Sequence, residues 1–395
     1  VTVHYLDNAA TTAVRPAALE VMVPLLAEGY GNPSGAHRMA REANRVLDEA
    51  RDTMAEVLGA EPGQIVFTAG GTEADNLAIA GAVNARGGVP VCSTIEHHAV
   101  LDPTVHHGGV TVRVGADGVV DLDHLAATLD ELRDRVSIVS VMLANNETGI
   151  LQPLDRVVEL VRSRAPQALV HTDAVQAPCW VDVAGAAAGV DLISVSAHKF
   201  GGPKGTGALA VRDRATLDPL LKGGGQERGR RGGTQNVAGI AAMAVAAAET
   251  VAERPSQVPR VAALRDRLAD GIRSALDGVV ETGVPGGDRS AKTANICHLC
   301  FEGIESEALL FLLEKDDIMA SAASSCSSGA MEPSHVLSAM GFDRDLAFGS
   351  LRLSLGYGST GADVDAALAA VPAAVRRLRE SGRHEPGPLP TAERR

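Results

Sequence analysis

Lysine is scarce in this 395-residue chain: of its 36 Lys and Arg residues only Lys199, Lys204, Lys222, Lys292 and Lys315 are lysines, leaving 31 arginines. Surface charge is therefore mostly arginine, and each lysine is a candidate for chemistry. Positive charge is in deficit as well, 36 basic against 49 acidic residues for a net charge of -13, which raises solubility and argues against broad, sequence-independent binding of nucleic acid. No window approaches a run of eighteen apolar residues, which excludes a membrane-spanning helix. Residues 1–8 carry neither the basic start nor the apolar core of a leader, so the expected location is the cytoplasm. The five cysteines, an odd count, make no disulfide framework in a chain of this size, and reduced thiols are expected. Repeats of fixed period are absent. What is there, 45% hydrophobic and 22% charged residues, suffices for a large buried core.

From Gln64 onward apolar runs alternate with amphipathic stretches, the pattern of an α/β fold around a largely parallel sheet. Residues 65–68, 110–114, 136–143, 168–172, 192–195 and 207–211 read as buried strands, while 73–85, 121–133 and 154–164 carry apolar residues at helical spacing. Ser34 is expected to cap a long helix that reaches Leu58. Around residues 253–259, Pro255 and Pro259 interrupt a helical pattern, which marks a domain boundary and a new helix over 260–276. Beyond it, 293–301 and 350–355 read as strands, and 305–314 and 362–379 as helices. The expected division is a large domain over 12–255, a smaller α+β domain built from 1–11 and 256–381, and a frayed tail over 382–395.

The sharpest local signal is Ser196-Ala197-His198-Lys199, directly after an apolar strand. Burying an ammonium there is costly, and a lowered pKa or a covalent role relieves the cost. Lys199 is thereby a candidate Schiff-base lysine; the ordinary alternative is a strand-end lysine that reaches solvent. Asp173 closes the preceding apolar strand in His171-Thr172-Asp173-Ala174-Val175-Gln176. Pyridoxal phosphate needs both groups, a lysine for its aldehyde and a carboxylate beside its ring nitrogen. Taken alone, Asp173 would be a cap or turn residue. Phe67-Thr68-Ala69-Gly70-Gly71-Thr72-Glu73 passes from a strand through a glycine turn into a helix, whose first N–H groups and Thr72 hydroxyl suit a phosphate. Unsupported, it is only a turn. His97, after the strand-like 91–93, offers an imidazole to stack on a flat ring or to move a proton, a role it holds only in that company.

Cys326 lies in a small-residue stretch, Ser321 to Gly329, with no apolar period; such a stretch is a loop, where a thiol is placed to react. Cys297 and Cys300 form a Cys-x-x-Cys, but 293–301 alternates like a strand. Positions three apart then point to opposite faces, so neither a metal site nor a redox pair is expected. Arg352, a charge inside a strand, needs a carboxylate partner, either a substrate's or the protein's own.

Together these motifs resemble the cysteine desulfurases of the NifS/IscS type, pyridoxal-phosphate enzymes of the class V aminotransferase family with the type I fold. The resemblance covers nearly the whole chain. It runs from Tyr5-Leu6-Asp7-Asn8-Ala9-Ala10-Thr11-Thr12 through Gly31-Asn32-Pro33, the glycine turn, Glu96-His97, Asn145-Asn146-Glu147-Thr148-Gly149, residues 173–176 and His198-Lys199, and then through residues 223–234, Cys326, Glu332-Pro333-Ser334-His335 and residues 350–356. It implies an α/β fold whose large domain holds a mostly parallel seven-stranded sheet.

By the same resemblance, Lys199 holds the cofactor, Asp173 pairs with the ring nitrogen, Gln176 contacts the ring hydroxyl and His97 stacks on the ring. Gly71, Thr72, Ser196 and His198 hold the phosphate, with Thr234 reaching in from the second subunit of a homodimer. Asn32, Asn146 and Arg352 hold L-cysteine, Arg352 on its carboxylate, with Asn146 beside the cofactor too. Lys199 then moves the α-proton, and Cys326 takes the sulfur as a persulfide while alanine leaves. Ala323 stands where the family's long mobile loop has a glycine, which implies a stiffer approach for Cys326. Sulfur is expected to pass to a docked acceptor protein, for iron-sulfur assembly or for tRNA or DNA sulfur modification, with no direct binding of nucleic acid. The alternatives are another class V activity, such as selenocysteine lyase or an aminotransferase, and a sulfur-donor scaffold with weak turnover.

Overall fold

The computed structural model of the chain describes residues 2–322 and 333–382. Twelve strands form there: β1 (His4–Tyr5), β2 (Ile65–Thr68), β3 (Val89–Ser93), β4 (Val110–Val112), β5 (Val136–Ser140), β6 (Leu169–Asp173), β7 (Leu192–Ser196), β8 (Gly207–Val211), β9 (Val279–Glu281), β10 (Ile296–Phe301), β11 (Ile318–Met319) and β12 (Ser350–Ser354). Seven make one sheet in the order β2-β8-β7-β6-β5-β3-β4, in which only β8 runs against its neighbours. The expected mostly parallel sheet is the one observed. Its central strands are buried at every position, so both faces must be covered. Alternate residues supply the two faces. Phe67, Val91, Val139, Val170 and Ile193 enter one apolar cluster with Leu47, Met54 and Leu58 of helix α2 (Arg38–Leu58). Val66, Cys92, Ile138, Leu169 and Leu192 enter another with Leu77 and Ile79 of helix α3 (Gly71–Arg86).

A separate core forms around the antiparallel sheet β12-β10-β9, where Leu299, Phe301, Leu351 and Leu353 pack on Leu268, Ile272, Val364 and Val371. Leu6, from the start of the chain, is part of it. Cys297 belongs to this core, whereas Cys300 packs on the other side of β10 with Leu337 and Ala347. The pair is thus split between two faces of one strand.

Two sequence expectations are corrected. Pro255 and Pro259 do not break the helix: one helix runs from Val237 to Ala275, with Ile240 and Met243 in the first core and Val261 and Leu268 in the second. Both prolines are exposed and four residues apart, so the carbonyls they leave unpaired lie on the solvent side. Ser34 is not a cap. Residues 32–35 instead close a turn in which Ser34 N donates to Asn32 Oδ1 (3.0 Å), and His37 caps α2 through Nδ1, which accepts from Ala40 N (3.3 Å). No helix among the described residues is long and apolar enough to cross a membrane.

Pro255→Ala should stabilise the protein by about 1 kcal/mol, because a restored backbone hydrogen bond outweighs the added entropy of the unfolded chain. Thermal unfolding measures this, and a lowered midpoint would show that the proline serves the helix where it stands.

Candidate active site

Strands β2, β3, β5, β6 and β7 share one direction, so their carboxyl ends bring Thr68, Ser93, Ser140, Asp173 and Ser196 to a single edge of the sheet. Ligands of open α/β sheets bind at that edge. Here the glycine turn enters α3. A side chain at Gly71 would place its Cβ 2.7 Å from Val175 Cγ2 and 3.3 Å from Ser196 Cβ. One at Gly207 would meet the backbone of Gly70 at 2.7 Å. The Val175 and Ser196 side chains and the Gly207 backbone thus close on the glycine turn, where a Cβ would not fit. A cavity of about 730 Å³ opens on it, lined by Gly71, Thr72, Ser196 and His198 together with Thr11, Glu73, Asn76 and Lys204. Burial pushes the His198 imidazole down to about 4, so its ring is neutral, and its Nδ1 lies 3.2 Å from Thr11 Oγ1.

Next to this cavity, Lys199 donates from Nζ to the carbonyls of Ala9 and, at 2.9 Å, Ala10. Desolvation, helped by the Arg352 charge, lowers its pKa to about 8, against the pull of Asp173 and Asp7. Gln176 Nε2 donates to the same Ala9 carbonyl (2.8 Å). Asp173 ends β6 buried; its Oδ1 accepts from Val175 N (2.8 Å), and burial raises its pKa, partly offset by that bond and by the nearby charges of His97 and Lys199. His97 Nδ1 accepts from Ala99 N (3.1 Å) at the start of helix α4 (His98–His106), which puts the proton of the neutral ring on Nε2. Beneath Asp173, His171 bridges Ser140 (2.7 Å) and Ser194 (2.9 Å) and lies 3.5 Å from the buried carboxylate of Asp75.

Arg352 has the internal partner: Nη2 donates to Asp7 Oδ1 (2.8 Å) and Nη1 to the Asn146 carbonyl (2.9 Å), leaving other guanidinium N–H groups for a ligand. Its backbone exchanges hydrogen bonds with Ser321 (2.7 and 3.3 Å), and Ser350 Oγ donates to Ala322 O (3.1 Å). On the other side, the Ser334 hydroxyl donates to Glu147, and His335 Nε2 lies 3.0 Å from the Glu96 carbonyl. Cys326 and Ala323 lie outside the described residues. Asn32 and Thr234 are exposed and do not line the Lys199 side of the chain; the Asn32 turn instead faces the 225–235 loop across a second cavity of about 360 Å³. Sequence reading missed Asp7 as the partner of Arg352, the carbonyls that hold Lys199, and the cavity-lining Glu73, Asn76 and Lys204. Asp7 and Glu73 stood inside motifs with no role attached, and Lys204 carried a signal as one of five lysines.

Pyridoxal phosphate fits these residues. The glycine turn leaves no room for a Cβ at Gly71 or Gly207, Asp173 accepts a single hydrogen bond among the described residues and so has room for a protonated ring nitrogen, and Lys199 has a depressed pKa at hand.

Glu96, buried just before His97, accepts from Ser93 Oγ (2.6 Å) and Met142 N (2.9 Å), and burial pushes it up to about 8. Its folded pKa exceeds its unfolded one, so between pH 4.5 and about 8 the folded state keeps a proton that the unfolded chain has released. Stability therefore falls as pH rises through that window, by up to about 1.4 kcal/mol per pH unit. Glu96→Gln retains both acceptor contacts and removes the share of the slope that Glu96 contributes. Its gain in melting temperature should be larger at pH 8 than at pH 5; equal gains would contradict a protonated Glu96.

The class-V aminotransferase family model matches residues 4–367. The "IscS-like cysteine desulfurase" of Mycobacterium tuberculosis is 43% identical over 390 residues, which span 95% of this chain and 97% of the relative. Among solved structures, one described as a NifS-like protein superposes with a TM-score of 0.86 at 35% identity, over 95% of this chain and all of the other. Another, "SspA in complex with cysteine", has a TM-score of 0.76 at 31% identity, over 89% and 98%. A match that passes through both cores and every strand of the large sheet can arise only by common descent: the chain belongs to the class-V aminotransferase family and is a pyridoxal-phosphate enzyme of the type I fold.

Proposed function

We propose that the chain is a cysteine desulfurase, which converts L-cysteine to L-alanine and leaves the sulfur as a persulfide on Cys326. The observation that carries this reading is the pairing of Ser321 and Ala322, the described residues that precede Cys326 in sequence, with the strand that bears Arg352. The M. tuberculosis relative's name as a cysteine desulfurase and the cysteine in complex with SspA support the substrate.

When bound, pyridoxal phosphate supplies the electron sink that allows a substrate Cα–H bond to break. Gly71, Thr72, Ser196 and His198 would hold its phosphate, Asp173 its ring nitrogen and Gln176 its ring hydroxyl, with His97 and Asn146 against the ring. The free N–H groups of Arg352 orient the substrate carboxylate. Lys199, with a pKa of about 8, takes the α-proton and returns one near neutral pH. The Cys326 thiolate then attacks the substrate sulfur: an S–S bond forms, the Cβ–S bond breaks, and its electron pair stays on carbon, which takes a proton and leaves as alanine. Asn32 and Thr234, both exposed, would complete the site of the partner in a homodimer. A chain of charge -13 would hand sulfur to a docked acceptor protein and not directly to nucleic acid.

Borohydride should fix the cofactor on Lys199, and Lys199→Ala should lose the covalent label; a label on Lys204 would overturn the assignment. Cys326→Ser should keep the cofactor and its spectral response to cysteine yet form essentially no sulfide or alanine, whereas Cys297→Ser, altered in a buried core, should stay active. The reverse pattern would exchange the two cysteines' roles. Light scattering should show a dimer, and a fully active monomer would remove Thr234 from the site.

A further inference from the structure

A phosphate ester carries a charge of roughly -1.5 to -2 near neutral pH, and hydrogen-bond donors alone do not cancel it. At the phosphate end of the cavity, the start of α3, the hydroxyls of Thr72 and Ser196 and a neutral His198 supply donors and no net charge. Glu73 brings a negative one. Its carboxylate is held by Arg231 (2.9 and 3.3 Å) and by Ala69 N (2.8 Å), so the Arg231 charge is already committed.

Lys204 is the one Lys or Arg on the cavity lining. It is exposed and has no hydrogen bond or ion pair with any described residue. Its position is nevertheless fixed, because the connection that carries it leaves the Lys199 turn through buried Gly201, Gly202 and Pro203. A Cβ at Gly202 would lie 2.7 Å from that of Ala197, Gly205 takes a left-handed φ of +77°, and Gly207 rests on the backbone of Gly70. Only the lysine side chain is free to move, and its charge already depresses His198 on the same lining. We propose that Lys204 is the cation that neutralises the cofactor phosphate, closing over it from the mouth of the cavity; this rests on the pyridoxal-phosphate site described above. In an arginine-rich chain, a flexible stem with a compact point charge suits a phosphate that must first enter and then be held. The ordinary alternative is a solvated surface lysine.

The test strips the holoenzyme of cofactor and measures binding by equilibrium dialysis. Lys204→Gln should weaken binding of pyridoxal phosphate roughly tenfold at low salt and leave binding of pyridoxal, which lacks the phosphate, unchanged. High salt should narrow the difference, and Lys204→Arg should recover most of the loss. The cofactor-free variants should unfold at the parent temperature. The assignment is overturned by equal loss for both ligands, by loss for neither, by an arginine that does not recover, or by altered unfolding. A parent protein that fails to bind pyridoxal phosphate through Lys199 would instead refute the functional reading, so the two failures are distinguishable.

Discussion

The site depends on a strap, residues 7–12, that crosses from one core to the other. Its beginning is fixed to the small sheet: Leu6 is buried there, Asn8 N donates to Ser354 O (3.2 Å), and Ala9 N to Ser354 Oγ (2.9 Å). Its end is fixed to the turn after β7, where Thr12 N and Oγ1 both donate to His198 O (2.9 Å each). Between these points it presents Asp7 to Arg352, two carbonyls to the Lys199 ammonium and Thr11 to His198. A desolvated ammonium needs such partners. Carbonyl oxygens hold it without fixing its charge, which leaves Lys199 with a pKa low enough for covalent and proton chemistry.

The same economy of charge runs below the site. Asp75, Glu96, Glu147 and Asp173 are all buried, and burial raises each of them. His171, pushed down to about 3 by burial, offers Asp75 a neutral neighbour. Of these carboxyl groups, Asp173 is the one proposed to pair with the ring nitrogen. A cationic ring would add to the positive charge that His97 and Lys199 already bring to Asp173, so cofactor and carboxylate would stabilise each other. Beside the antiparallel sheet a buried lysine is resolved differently: Lys292 lies 3.7 Å from Glu281 and donates to Thr282 O (3.1 Å), a structural role.

Much of this was legible in the sequence where periodicity or a strand end carried it. The strands that deliver Asp173 and Ser196 were readable as apolar runs, because a parallel sheet buried on both faces needs continuous Val, Ile and Leu. The glycine turn, Lys199 and Asp173 then follow at their ends. What was not legible depends on tertiary context. The helix through Pro255 and Pro259 survives because both prolines face solvent. Ser34 loses its cap role to a local turn built by Asn32. The choice between two carboxylate partners for Arg352 is made by Asp7, 345 residues away in sequence, which no local pattern encodes.

The most direct measurement is intact-protein and peptide mass spectrometry after one turnover of isotopically sulfur-labelled L-cysteine without added thiol. One labelled sulfur per chain is expected, on the peptide that contains Cys326, together with an equal amount of alanine. Label on buried Cys92, Cys179, Cys297 or Cys300, or alanine formed with no protein-bound sulfur, would contradict it.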